Sequence, residues 1–254
     1  GADPLTFARR IEVGTKVKGL LFTQVIPCEM EKFQKDVYDV VSQNEDDTLD
    51  RQSESVSNFV FPGLSDDGRK LVGYFGRDGL SIVRNQIKSN KDVLNRKIVT
   101  DLFGKKDYGQ TYIKASDTLH SISGDILKEQ NLKHFSIKFY KALLEVNKLV
   151  DGQKGSRTAF VYSNFVKVGI EIFQEVLVQN GYLEFQENQN AYRIVDDTRC
   201  YFCGKPYIDH KTTKTVDHVF HPATFVTITG KSAEEGHEIL PEDKQRILNT
   251  FNKL

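Results

Sequence analysis

At residue 158 the hydrophobic rhythm of the chain changes, and that change restricts the possible folds more than any other feature. Thr158 to Gly181 reads as a short apolar strand, Ala159 to Ser163, then a turn, then an amphipathic helix over Val166 to Gln179 closed by Asn180-Gly181. A period of two that gives way to a period of 3.6 is one α/β step. Tyr182 to Phe185 and Thr224 to Thr229 follow as further strands, and Pro241 to Asn252 as a further helix. Parallel strands need long crossovers, and this alternation supplies them. The expected fold is therefore α/β, with a parallel sheet and crossover helices in residues 151 to 254.

Residues 1 to 150 follow a different pattern and are expected to be mainly helical. Glu29 to Val41 predicts a helix with Met30, Phe33, Val37, Val40 and Val41 on one face. Ile82 to Phe103 is largely helical, and Leu132 to Val150 carries Phe135, Phe139, Leu143, Val146 and Val150 as a core-facing stripe. Val17 to Ile26 reads as a strand, and Ser116 with Asp117 could cap another helix. Polar stretches at Ser42 to Asn58, Gly104 to Gln110, Asp151 to Ser156 and Glu187 to Arg199 are candidate loops, the third marking the boundary between the halves.

Charge excludes one function class. The 35 basic residues among 254 equal the 35 acidic ones, so no global field attracts nucleic acid. A local excess runs from Arg84 to Lys106, where Arg84, Lys88, Lys91, Arg96, Lys97, Lys105 and Lys106 face only Asp92 and Asp101. That stretch is either a phosphate-touching surface or a solvated helix face. Three cysteines, no glycosylation acceptor, no signal peptide and no apolar run near 18 residues lead to the expectation of an intracellular chain without membrane contact. Gly1-Ala2-Asp3 lacks an initiator Met, as expected of a fragment.

The motif with the sharpest spacing is Cys200-Tyr201-Phe202-Cys203-Gly204-Lys205, followed by His210, His218 and His221. Two thiolates across a tight turn converge on one ion, and Gly tolerates the backbone that aims amides at sulfur. Cys200, Cys203, His218 and His221 then make a Cys2His2 zinc set, with His210 as the alternate for either histidine. Four protein ligands would make the zinc structural, because a catalytic ion keeps an open position. A redox pair is one alternative, although no strand-to-helix turn stands there to lower a thiol pKa. Two buried thiols with unliganded histidines are the other. Cys28, after Pro27, is expected to be buried.

Other chemistry is missing. Gly230-Lys231-Ser232 imitates the end of a phosphate loop, but Phe225 stands where its first Gly belongs. Gly63 to Lys70 has the glycine spacing but places Arg69 and Lys70 where Lys and Ser/Thr are needed, and Gly73, Gly76 and Gly79 form only a loose glycine-rich turn. No acidic box, Gly-x-Ser-x-Gly elbow or His-Glu-x-x-His appears, so no catalytic residue is assigned.

Five blocks, in order, carry a family resemblance. Arg9-Arg10, the strand Thr23 to Ile26, and Cys28-Glu29-Met30 with Phe33-Gln34 and Tyr38 resemble the passage between the two motor domains of remodeller-like superfamily 2 helicases. Ser57-Asn58-Phe59-Val60-Phe61-Pro62 is similar to a segment of helicases from large nucleocytoplasmic DNA viruses, the group that includes the poxvirus early transcription factor ATPase. Phe135-Ser136-Ile137-Lys138-Phe139 resembles their Tyr-Ser-Pro-Lys-Phe element, with Ile137 in place of Pro. Phe160-Val161-Tyr162-Ser163-Asn164-Phe165 is similar to helicase motif IV. Thr227-Ile228-Thr229-Gly230, with Arg246 and Phe251-Asn252 downstream, resembles the next block.

The resemblance implies an incomplete second RecA-like domain, preceded by the inter-lobe connection and carrying a zinc-knuckle-like insert over about 188–222. It implies nucleic-acid contacts, DNA or RNA, at Tyr162, Ser163, Asn164, Thr229, Gly230 and Lys138. For Ser163 and Asn164 the alternative is a simple helix cap. ATP and magnesium would bind only in the longer parent, since the phosphate-binding boxes are absent here and the chain stops where motif V should begin. The implied role is a viral helicase or nucleic-acid-dependent ATPase in transcription or genome handling, in the virion or host cytoplasm, with viral transcription proteins as partners. A non-enzymatic zinc-containing interaction module with a helicase-derived fold is the alternative.

Overall fold

The computed structural model describes residues 25–43, 50–104, 111–152, 158–212, 218–229 and 241–251. Helix α1 (Lys32–Ser42) precedes α2 (Asp50–Asn58). A hairpin of β1 (Phe61–Leu64) and β2 (Leu71–Tyr74) leads into the long α3 (Gly76–Leu102). Strands β3 (Lys114–Ala115) and β4 (Ile122–Ser123) form a second antiparallel pair, followed by the single turn α4 (Glu129–Leu132) and by α5 (Ile137–Val150). A π-helical turn, Val166–Ile170, opens α6 (Glu171–Gln179). Then come β5 (Leu183–Glu184), α7 (Tyr207–Thr212), β6 (Thr224–Phe225) and α8 (Pro241–Phe251).

The mixture of helices with short sheets is α/β, and β5 pairs with β6 in parallel, Leu183 opposite Thr224 and Glu184 opposite Phe225. Three expectations change. The candidate loop over Ser42 to Asn58 ends in helix α2. Ala159 to Ser163 forms no strand among the described residues, and Phe160 and Tyr162 lie 91% and 75% exposed, so this apolar segment has no sheet to lie in. Ser116 caps no helix. Its Oγ accepts from the Thr118 and Leu119 amides, closing the β3–β4 turn. The expected strand over Val17 to Ile26 lies almost wholly outside the described residues.

Aromatic packing holds the centre. Phe59, Phe61 and Phe135 are buried to 1% exposure or less, with the Phe59 ring centroid 4.8 Å from Phe61 and 6.4 Å from Phe135. Phe139 links this cluster to Phe173 of α6 at 5.5 Å. Of the α1 face, Val41 is buried and Phe33 and Val37 pack on the core, but Val40 is exposed. The fully buried side chain of that helix is polar. Gln34 donates from Nε2 to the carbonyls of Val56 and Ser57, at 3.0 and 3.3 Å, and accepts from the Ile137 amide at 3.1 Å. One amide thus ties the end of α2 to the start of α5, satisfying groups that burial would otherwise leave unpaired.

The same junction joins two of the sequence blocks. Ser136 Oγ caps α5 by accepting from the Phe139 amide at 3.1 Å, and donates to the Asn58 carbonyl at 2.5 Å. The Val60 amide donates to the Phe135 carbonyl at 2.9 Å, and Asn58 Nδ2 donates to the Val168 carbonyl in the π turn. Replacing Ser136 by Ala removes a cap and orphans a buried carbonyl, an expected loss of about 1–3 kcal/mol. Urea unfolding of Ser136→Ala checks this.

Candidate metal centre and nucleic-acid contacts

The Cys/His segment is built by backbone pairing before any side chain is considered. The Cys200 amide donates to the Lys205 carbonyl at 2.9 Å and the Gly204 amide to the Cys200 carbonyl at 2.8 Å, which closes the CxxC turn. Gly204 takes a φ of 70°, and a Cβ there would collide with the Asp151 carboxylate. The strand-like bridge Cys200↔Pro222 and the bond from the Tyr201 amide to the His221 carbonyl, 2.6 Å, lay the returning chain beside the turn. Helix α7 starts where the amides of Tyr207 and Ile208 reach back to the Thr198 and Asp196 carbonyls, and this aims His210 at the turn.

The result is a four-residue cluster. Ligand atoms of Cys200, Cys203, His210 and His218 all lie within 4.8 Å of one another. His210 Nε2 stands 3.1 Å from Cys203 Sγ, and His218 Nε2 stands 3.4 Å from Cys200 Sγ. Ligands about 2.0–2.3 Å from one tetrahedral ion are themselves separated by about 3.3–3.8 Å, a range that holds the second spacing and lies just above the first, so small shifts would fit the cluster to zinc. His221 is not in the cluster. Its carbonyl is held by Tyr201, and its ring packs on Phe202 with centroids 6.1 Å apart. The alternate named in the sequence, His210, occupies that place.

Electrostatics suits metal binding too. Burial pushes the Cys200 thiol up, but donors from the His221, Phe202 and Cys203 backbone and from the His218 ring outweigh it and hold the thiol below its ordinary range. Burial raises the Cys203 thiol, and negative charge on Cys200 raises it further, the repulsion a cation would relieve. His210 is pushed down, first by burial and then by His218, which favours the neutral imidazole that can ligate.

Arg199 fastens this unit to the core, a role the sequence did not suggest. Its Nε donates to the Asn180 carbonyl at 2.9 Å, and a terminal nitrogen reaches the Gly204 carbonyl at 3.4 Å. Its guanidinium lies 5.9 Å from the Tyr182 ring centroid. The Tyr182 hydroxyl donates to Asn147 Oδ1 at 2.7 Å, and Asn147 donates to Glu129 at 2.8 Å. Cys28, by contrast, is half-buried, with its thiol 3.6 Å from the Ile26 carbonyl.

The residues named for nucleic acid fall in several places. Tyr162 and Asn164 are exposed at the entry to the π turn. Ser163 Oγ accepts from the Phe165 amide at 3.1 Å, a local cap, and Gly169 packs so closely on Ser163 that a Cβ would meet its Oγ. Lys138, exposed at the start of α5, donates to Ser57 Oγ at 2.8 Å. Ser57 adjoins Asn58, which holds Val168, so Lys138 and Ser163 are joined by continuous contacts across the block junction. Thr229 is half-buried, and Gly230 lies outside the described residues, as does the Gly230-Lys231-Ser232 imitation. Gly63 to Lys70 is the β1–β2 hairpin, closed by the Ser65 amide on the Lys70 carbonyl at 2.9 Å. Among the described residues no helix is long and apolar enough to cross a membrane.

The whole chain aligns, at 50% identity over 261 positions, with a protein of Acanthamoeba polyphaga mimivirus that bears the name "Putative ATP-dependent RNA helicase L377". The chain spans 23% of that relative's length. No family model and no solved structure matches the chain.

Proposed function

We propose that the chain is a segment of a viral superfamily 2 motor that hydrolyses ATP to act on RNA, and that it carries part of the second RecA-like lobe. The observation that carries this reading is identity at half of all positions, along the entire chain, to a relative named as an ATP-dependent RNA helicase. The parallel β5–β6 pair agrees with a sheet of that kind. Residues 1–150 would be the inter-lobe connection with a helical region, and residues 151–254 the partial lobe with its insert over about 188–222.

In the parent, ATP and magnesium would lie between two lobes whose closure moves the strand. Tyr162, Ser163, Asn164, Thr229, Gly230 and Lys138 would meet nucleic acid, and the task would be transcription or genome handling alongside other viral proteins. Zinc would sit on Cys200, Cys203, His210 and His218 and hold the insert rigid. The test compares the longer product of the parent gene with this chain. The longer protein is expected to hydrolyse ATP with stimulation by RNA, and the 254-residue chain to hydrolyse none. ATP hydrolysis by the 254-residue chain alone would refute this division of parts.

A zinc-held interaction module is the second reading, favoured by the insert's exposed apolar side chains, Val219 at 86% and Phe202 at 45%. It expects a parent without a working phosphate loop.

A further inference from the structure

A polar pocket of about 340 Å³ lies away from the Cys/His cluster, between α3, the β3–β4 turn and the π turn. It is lined by Arg84, Ser116, Thr118, His120, Lys167 and Glu171, among others. Two of its lining side chains end in buried atoms without a hydrogen-bond partner among the described residues, Arg84 Nε and Glu171 Oε2. One is a donor and the other an acceptor. Lys167 pairs with the second carboxylate oxygen of Glu171 at 3.5 Å, both side chains being 15% exposed or less. Below the turn, buried Glu175 accepts from Ser116 Oγ.

Buried groups left unpaired are rare in native proteins and ask for a missing partner. The charge balance says what kind. Within the lining Arg84 and Lys167 are offset by Asp117 and Glu171, and buried Glu175 lies beneath, so the pocket has no net attraction for a phosphate. Its lining has no Phe, Tyr or Trp on which a base could stack. An uncharged group that both donates and accepts meets both orphan atoms, and a ribose hydroxyl is such a group. Lys167 and Glu171 stand on the π turn and the first residue after it, a helical irregularity that often marks functional sites. The turn begins just after Tyr162-Ser163-Asn164. One helical turn along α3 from Arg84, exposed Lys88 adds a positive charge, and exposed Lys91 follows just past the break in the helix at Asn90, so a strand leaving the pocket could follow both.

We infer that this pocket receives a ribose of the RNA strand, with its 2′-hydroxyl donating to Glu171 and accepting from Arg84, and that it distinguishes RNA from DNA. The inference rests on the RNA-motor reading. The experiment is fluorescence anisotropy with an oligouridylate and an oligodeoxyuridylate of equal length, so that only the 2′-hydroxyls differ. The 254-residue chain is expected to bind the ribo form about tenfold more tightly, the effect of one hydrogen bond to a charged group. Glu171→Ala should bring the two within about twofold by weakening the ribo form alone. Lys91→Ala, outside the pocket, should weaken both alike. A 2′-O-methyl strand, which cannot donate, should bind the unaltered chain no better than the deoxy form, a readout that does not depend on how Glu171→Ala folds. Equal binding of the ribo and deoxy forms by the unaltered chain overturns the pocket and leaves the motor reading standing, as does discrimination that persists in Glu171→Ala. Binding of neither strand overturns the nucleic-acid reading itself.

Discussion

Metal analysis of the purified chain should find about one zinc per molecule, lost together with the fold of the insert on chelation. Structural zinc contributes about 10–16 kcal/mol of apparent binding energy in small finger peptides, so removal is expected to be the largest single perturbation this chain can suffer. Substitution separates the histidines. Cys203→Ser and His210→Ala should each lower zinc affinity by more than about 100-fold, beyond what loss of an outer-shell partner costs. His221→Ala should retain the ion, because that ring packs on Phe202 outside the cluster. A Cys203→Ser protein that folds normally and keeps its zinc would sink the assignment. Retention by His210→Ala with loss by His221→Ala would restore the set that the spacing first suggests.

The second large effect lies in the aromatic centre. Phe59→Ala should destabilise the chain by about 3–5 kcal/mol, because it empties a site 1% exposed and surrounded by Phe61, Phe135 and Phe139. That is a large share of the roughly 5–15 kcal/mol that holds an ordinary domain together. Urea unfolding measures it, with Phe160→Ala as the counterpart. Phe160 is 91% exposed, so its loss should change stability by no more than about 0.5 kcal/mol. Equal costs at the two positions would contradict the packing described above.

These two phenylalanines also show what the sequence could and could not disclose. The helical periods of α3 and α5 were readable, because side-chain spacing along a helix follows from local geometry alone. So was a parallel pairing in this half, from the alternation of short strands and helices after residue 158. Ala159 to Ser163 had an equally good strand pattern and forms none among the described residues, because a ladder needs a neighbour as well as a propensity. Gln34 is a further example. In an amphipathic face it reads as a polar interruption, yet it is 0% exposed, since its partners Val56, Ser57 and Ile137 come from distant turns that no local pattern joins to it. The choice of His210 over His221 was hidden for the same reason. Spacing counts residues, whereas the pairing of Pro222 with Cys200 and of the His221 carbonyl with Tyr201 decides which ring faces the sulfurs. Arg84 and Glu171, 87 positions apart in the chain, met only through the packing of α3 against the π turn.

The parallel strands β5 and β6 consist of two residues each, and between them the chain leaves the sheet, forms the Cys/His unit and returns. So short a ladder cannot by itself offset the entropy of closing so long a loop. The unit acts on the sheet as a clasp acts on a strap. With Cys200 and His218 held on one ion, the chain left to order between Glu184 and Thr224 would be residues 185–199 and 219–223, and the bond from the Ala223 amide to the Arg199 carbonyl joins those two flanks next to the Leu183 pairing. Metal supply would then govern the order of assembly. Strand registry in this half of the protein would wait on an ion held by residues outside both strands, and a chain made in zinc-poor conditions would lose its parallel pair.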